Sequence, residues 1–396
     1  MARLAPAAAV LMGLAVPSIA WGRGLVNTFA ALGLALALAC LWADRRRADP
    51  WVAGARPLLT GLAVVAAAWL PSVAFSIAPL ESLKTWGLVV GLLAGGVAAH
   101  RFFALDPWRA ELGLKSLVAV AAAAAVYAGL RYGLPAGWQP GLATDRMDLV
   151  FKAAANLFAL LVPVVLWAGV RLGGRWRGLA AVAVAGAVAM LAGSDSRAAL
   201  AGLLAGVLAA AAAVILRRRW WWVLAPVALL VAGAFWYLYR RMAGVDLGDL
   251  EIFAPAWLID VHRQHIWTFV LRGFADHPLV GVGMGAAKLM PGAIEMIPGI
   301  PAAWVPAHPH NWLVEVLGET GLVGAVPLVA LVLGLILAWL RAWLRDGDGA
   351  ALALFTLVTM FFASGLFNFS LWRAYWLIGL IVPFALVTAA RRSAQT

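Results

Sequence analysis

Apolar runs close to 20 residues long recur along the whole of this 396-residue chain, and each is long enough to cross a hydrocarbon layer of roughly 30 Å as an α-helix. Inside such a layer every backbone N–H and C=O must find its partner within the protein, which leaves helices or a closed barrel. The runs show no strand-type alternation. Only 12% of the residues are charged and the mean hydropathy is +0.92, whereas soluble domains carry about 25% charged residues. The expected fold is therefore an all-α polytopic integral membrane protein. About 12 transmembrane helices are predicted, at 4–21, 25–43, 57–75, 85–100, 116–131, 151–170, 178–193, 198–216, 220–239, 321–340, 350–368 and 374–390.

A net charge of +12 suggests nucleic acid in a soluble protein. In a membrane protein it first has to be tested as a topology signal. With both termini in the cytoplasm, Arg45 to Arg47, Arg101 with Arg109, Arg171 with Arg175 and Arg177, Arg217 to Arg219, and Arg341 with Arg345 all face inward. Eighteen of the 30 Lys and Arg residues then lie inside, and twelve of the 18 acids lie outside. No nucleic-acid partner is needed. Arg3 and the small residues near Ala20 resemble a secretory signal, but removing the first run would break the alternation, so it is read as a retained helix. The single Cys40 excludes a disulfide framework and a thiolate metal site. Many of the 21 Trp residues lie at run ends, as an interfacial belt would require.

The chain is read as residues 1–239 with helices one to nine, a loop on the outer face over 240–309, and residues 310–396 with the last three helices, all forming one membrane domain. The loop is predicted to carry one or two amphipathic surface helices around Trp257 to Phe274. Beyond them Pro291, Pro298, Pro301, Pro306 and Pro309 impose irregular chain.

Candidate chemistry collects on the outer side. His310 follows His308-Pro309, and an imidazole there can take a proton from a hydroxyl. Asn311 is a natural cap for the helix that follows. Arg197, in Gly193-Ser194-Asp195-Ser196-Arg197, offers a planar fork suited to phosphate oxygens, or it snorkels, or pairs with Asp195. Arg263 reads either as an anion contact or as the partner of Asp260. Arg272 and Lys288 form a second tier of phosphate candidates, with Lys84 in the turn after Ser76. Gly281, Gly283 and Gly285 alternate without the strand and helix of a nucleotide fingerprint, and are read as a sharp turn near the site. Asp246, Asp249 and Glu251 look solvated. No acidic pair stands out to hold a metal or a sugar nucleotide, so neither cofactor nor metal is expected.

His310-Asn311, nine residues, Gly321, two residues and Gly324 resemble the signature of the O-antigen ligases, a family shared with O-antigen polymerases and protein O-oligosaccharyltransferases. Phe75-Ser76 through Pro79 and Ser82, Asn156, Ser194 to Arg197, and Arg263 to Trp267 followed by His277-Pro278 and Gly281 are similar to its scattered landmarks. The resemblance spans about 250 residues, from Phe75 to Gly324. It implies a glycan donor on undecaprenyl pyrophosphate, a sugar hydroxyl of lipid A-core as acceptor, surrounding membrane lipids, and reaction at the periplasmic face of the bacterial inner membrane. It also implies catalytic roles for His310, Arg197 and Arg263, with inversion at the anomeric carbon and no metal. Asn311, Arg272, Lys84, Lys288, Gly321 and Gly324 would then line the substrate. Gly91, Gly95 and Gly96 offer a small-residue face through which a lipid tail could enter. The polymerase reaction, which joins two lipid-linked repeats, is the closest alternative. A protein O-oligosaccharyltransferase is disfavoured because no soluble domain is read after the final run, and a non-catalytic transporter because the charges sit at one interface and not at mid-membrane.

Overall fold

The structure, a computed structural model, describes residues 4–45, 51–132, 147–194, 196–217, 229, 233, 236, 254 and 259–392. The helices are α1 (Leu4–Ala15), α2 (Arg23–Ala43), α3 (Trp51–Ala68), α4 (Leu70–Ala74), α5 (Pro79–Leu105), α6 (Pro107–Tyr132), α7 (Met147–Leu172), α8 (Arg175–Ala192), α9 (Arg197–Leu216), α10 (Val261–Asp276), α11 (Trp312–Asp346), α12 (Gly349–Gly365) and α13 (Ala374–Arg392). Among the described residues nine helical segments are long and apolar enough to span a membrane, and α1 and α12 are shorter apolar helices. The chain is an all-α polytopic membrane protein. The expected span 220–239 lies outside the described residues apart from Leu229, Gly233 and Trp236, as do Arg46, Arg47, Asp195, Arg240, Arg241, Asp246, Asp249 and Glu251.

Local chemistry adjusts the expected boundaries. Pro17 ends the first run, which continues as a 3-10 turn over Pro17–Trp21. The run 57–75 breaks at Trp69, where α4 starts with Pro at its N-terminus. The run 321–340 begins nine residues early, at Trp312, because Asn311 caps the helix there and the chain stays helical across a break at Gly321.

α7 and α13 form the centre. Their apolar windows are 72% and 67% buried, against 22% for α5, α8 and α9, so the outer helices turn residues such as Leu32, Leu204 and Leu208 toward lipid. Small residues permit close helix approach where lipid offers no hydrophobic drive for association. A Cβ on Gly202 or Gly206 would meet Ser364 Cβ at 2.8 Å or Met360 Cγ at 2.2 Å, which fixes α9 against α12. Gly95 and Gly96 are likewise filled by Leu34 of α2 and Ile381 of α13, and only Gly91 of that stripe has open space beside it.

Side-chain contacts sort the helix ends into two groups. At one end Asp44 meets Arg109 at 2.9 Å, Trp343 Nε1 donates to Ala213 O at 3.0 Å, and Arg391 pairs with Asp348. At the opposite end Arg23 lies over Tyr375, Asn156 meets Ser196, and Lys288 pairs with Glu81. His310 belongs to this second end.

Candidate functional site

The site is built on the start of α11. Asn311 is extended (φ −152, ψ 113) and its Oδ1 accepts from Leu313 N at 2.9 Å and Val314 N at 3.2 Å. This satisfies two of the orphan N–H groups at the helix start. His310, just before, has φ 57, the one positive φ outside glycine among the described residues. A left-handed conformation is uncommon for a side-chain-bearing residue and survives only where the surroundings enforce it. Here Trp267 Nε1 donates to Pro309 O at 2.8 Å, and the His308 and His310 rings lie 4.1 Å apart at 39°.

α10, the predicted surface helix, holds the second component. Asp260 caps it by accepting from His262 N at 3.0 Å, and His262 Nε2 meets Ala303 O at 2.8 Å. Buried Gln264 anchors the helix by bonding both Ala254 and Ile259. Arg263 donates through Nη1 to Phe367 O at 3.0 Å, which uses one of its five N–H groups. Burial pulls the Arg263 guanidinium below its usual range, Asp260 opposes this, and the charge of Arg197 adds to it. The positive charge of Arg197 is therefore felt at Arg263.

Burial and then the Arg263 charge push His310 down to about 4, with the Asn368 backbone acting the other way. His308 is pushed down to about 2 by burial, then by His310, Arg373 and Arg263. Both imidazoles are neutral near pH 7 and can accept a proton or a hydrogen bond.

Arg197 opens α9, whose cap Ser196 accepts from Ala199 N at 3.3 Å. Asn156 Nδ2 donates to Ser196 Oγ at 2.8 Å, while its Oδ1 accepts from Asn368 Nδ2 at 2.6 Å and Ser364 Oγ at 3.2 Å. This buried chain ties the Arg197 turn to the 366–373 connection between α12 and α13. The same connection supplies the Phe367 carbonyl to Arg263.

Beneath it lie two buried carboxyl groups, Glu315 and Glu319, one turn apart on α11. Glu315 Oε2 accepts from Leu371 N at 2.7 Å. Glu319 Oε2 accepts from Trp372 Nε1 at 2.6 Å and Gly285 N at 2.5 Å, and Oε1 accepts from Ala287 N at 3.1 Å. The glycine turn completes the assembly. At Gly321 (φ 59, ψ −167) the helix ladder opens, and Leu322 N and Val323 N donate instead to Pro278 O at 2.9 Å and Leu279 O at 3.0 Å. The carbonyls of Gly318 and Glu319 accept from Val282 N at 3.0 Å and Gly283 N at 2.9 Å. Gly281 (φ 66) faces Glu319 so closely that a Cβ would lie 2.4 Å from its carbonyl carbon. Ser76 and Ser82, 2.7 Å apart, receive the turn from α5, and Ile77 N donates to Val282 O at 3.0 Å.

Arg263 and the turn that carries Arg197 are thus joined through the 366–373 connection, and the Arg263 charge is felt at His310. Of the other candidates, Asn311 caps α11 beside His310. Gly321 and Gly324 serve the break and its packing, since a Cβ on Gly324 would be 2.7 Å from Trp69. Lys288 pairs with Glu81 at 3.2 Å, and Lys84 is exposed on α5. Arg272 lies nine residues after Arg263 on α10, about 14 Å along the axis and on the opposite face. Sequence reasoning missed Glu315, Glu319 and Arg373. Two carboxyl groups at i and i+4 in an otherwise apolar helix were a signal, because unsupported charge there is costly.

Residues 181–329 match the family model described as O-Antigen ligase. A Rickettsia conorii protein with a provisional polysaccharide-ligase name is 26% identical over 121 residues, 29% of this chain and 28% of its own length. A Rickettsia bellii protein with a similar name is 28% identical over 124 residues, 30% of this chain and 29% of its own. The matched stretch is under a third of those relatives. The family-model match, residues 181–329, contains Arg197, Arg263, His308 and His310.

Proposed function

With residues 181–329 matching the O-antigen ligase family, we propose that the protein is a membrane glycosyltransferase. It moves a glycan from undecaprenyl pyrophosphate to a sugar hydroxyl of lipid A-core, at the periplasmic face of a bacterial inner membrane. The observation that carries this reading is the neutral His308–His310 pair beside Arg263, with Arg197 adjoining, at one end of a helix bundle.

The acceptor oxygen bonds to the anomeric carbon as the bond from that carbon to the diphosphate oxygen breaks. The hydroxyl proton passes to the neutral His310 ring. Undecaprenyl pyrophosphate leaves with the electron pair, and Arg197 and Arg263 hold the charge it gains. Fixed cations in a partly desolvated cleft stabilise such charge without reorganising, and loss of one donor typically costs about 10²–10³ in rate. Attack opposite the leaving group inverts the anomeric centre, and no step calls for a metal.

The test is deletion of the gene, followed by separation of lipid-linked from lipid A-bound glycan. Long polymer accumulating on undecaprenyl pyrophosphate supports the ligase. Accumulation of single repeat units overturns it in favour of a polymerase. Purified protein that moves lipid-linked glycan across a bilayer, yet forms no new glycolipid with lipid A-core, overturns it in favour of a transporter.

A further inference from the structure

His308 has no step in the chemistry above, yet its ring lies against that of His310, the centroids 4.1 Å apart and the planes inclined at 39°. Among the described residues it is the one imidazole whose two ring nitrogens are both buried and neither hydrogen-bonded. A neutral imidazole has one N–H to donate and one nitrogen to accept, and buried polar atoms in native proteins nearly all find partners. The unmade bonds of His308 therefore point to a partner gained during the reaction. Water and sugar hydroxyls are poor candidates, because both nitrogens are shielded from solvent. The polar group already in contact is the His310 ring.

The charges around the two rings decide what His308 does there. Those acting on His308 belong to His310, Arg373 and Arg263, all cationic groups. Those acting on His310 belong to Arg263 and His262, opposed by Asp260, whose carboxylate already caps α10 through His262 N. The Asn368 backbone favours protonation of both rings, but it makes no hydrogen bond to His308. Shielded and faced by cations, His308 is a poor store for a proton and keeps its lone pair. The His310 backbone is set by the Asn311 cap and by the Trp267 bond to Pro309 O, whereas the torsion that turns an imidazole about its stem is soft. A turn of the rings out of their tilted contact brings the lone pair of one to the N–H of the other.

We propose that His308 is a positioning residue for His310: one of its ring nitrogens accepts the N–H of His310 and leaves the other His310 nitrogen basic and free for the acceptor hydroxyl. A hydrogen bond at one imidazole nitrogen selects which nitrogen carries the proton. As the acceptor oxygen bonds to the anomeric carbon and the diphosphate leaves with its electron pair, the hydroxyl proton moves to the free nitrogen. His310 then carries two N–H groups, one of them held by His308, until it releases a proton to water. His308 itself gains and loses none. A carboxylate in its place would hold the imidazolium more strongly, but it would also attract Arg263 and repel the diphosphate. A neutral ring orients His310 without adding negative charge.

The catalytic part of this inference rests on the transferase reading above, and the pairing of the rings does not. Two measurements on the full chain in nanodiscs separate them. In the first, the six histidines are isotope-labelled, and the His310 ring is titrated by NMR in the wild type, in His308→Phe and in His308→Ala. Accepting a bond from the protonated ring raises its pKa, so the His310 value should fall by about one unit in both variants, the tenfold change that one lost bond to a charged group brings. His308→Asn or His308→Gln, whose amide oxygen can stand in for one ring nitrogen or the other, should restore part of it. In the second, with lipid-linked donor and lipid A-core, His308→Phe and His308→Ala should lower kcat about tenfold or more, with both KM values unchanged and the same amide variant recovering part of the loss. An unchanged His310 titration overturns the pairing. A kcat loss as large in both amide variants as in His308→Phe, or a defect confined to KM, overturns the positioning role. If the wild type transfers nothing while the titration shifts as expected, the transferase reading falls alone and the pairing stands.

Discussion

At the residue scale, His310 has its conformation set by its surroundings. A non-glycine φ of 57 persists because Asn311 must stay extended to cap α11 while Trp267 holds Pro309. The ring is consequently held in place, and burial and then the Arg263 charge disfavour its protonation. Under the proposed chemistry, His310→Ala, Arg197→Ala and Arg263→Ala should each lower transfer about 10²-fold or more with protein levels maintained. Glycan ladders on lipid A that look normal in all three variants would remove the assignment. The pH dependence follows from the lowered His310 value. A protonated ring cannot accept the hydroxyl proton, so activity is lost as pH falls through about 4 in the free protein, the acid limb reported by kcat/KM. Bound diphosphate offsets Arg263, so the limb in kcat should lie at higher pH. Coincident limbs would show that Arg263 and the donor anion do not act on His310.

At the element scale, the 366–373 connection and the glycine turn are what make a site out of separate helices. Both are locked to α11 by the two buried glutamates, whose partners are nearly all N–H donors. Glu319→Gln would turn an amide N–H₂ toward Gly285 N, Ala287 N or Trp372 Nε1. It should cost about 1–3 kcal/mol, read as a lower unfolding temperature in detergent. Unchanged stability would mean that the carboxylate is not the tie. Gly321 lies in a region of backbone space essentially reserved for glycine, and a Cβ there would fall 2.3 Å from Leu279 C. Gly321→Ala therefore carries strain of about 1–3 kcal/mol plus the clash, and should reduce both folded yield and transfer.

For the whole molecule, burial of α7 and α13 makes a rigid centre around which the peripheral helices face lipid. Arginines stack on aromatic rings at the end opposite the site: Arg45 on Trp42, Arg171 on Trp167, Arg217 on Trp343 and Arg391 on Trp339. Indole and guanidinium groups both favour the headgroup zone, so this end forms a cationic aromatic belt. Cys40 is buried, which gives a quiet background for thiol labelling. In intact spheroplasts a membrane-impermeant maleimide should label Lys84→Cys and leave Arg345→Cys unlabelled. The reverse pattern would invert the proposed orientation and place the site in the cytoplasm.

The sequence by itself determined the fold class, because hydrocarbon admits few backbone solutions and the runs were long enough to leave only one. It also singled out His310, Arg197 and Arg263 as candidates, because their residue types resemble a family pattern. The surface helix and the tight turn at Gly281 were legible for the same local reasons, amphipathic spacing and glycine. Tertiary structure decided what those residues face. Arg373 sits 63 positions beyond His310, and its charge reaches the His308 ring only because α12 returns the chain to the same end of the bundle. Glu315 and Glu319 became acceptors for a turn more than 50 residues later. Lys288 and Arg272 had the right charge and were turned elsewhere, one to Glu81 and one to the far face of α10. Periodicity and composition act over a few turns of chain, whereas convergence depends on which helices pack, and that was settled by small residues such as Gly202 and Gly206 meeting α12.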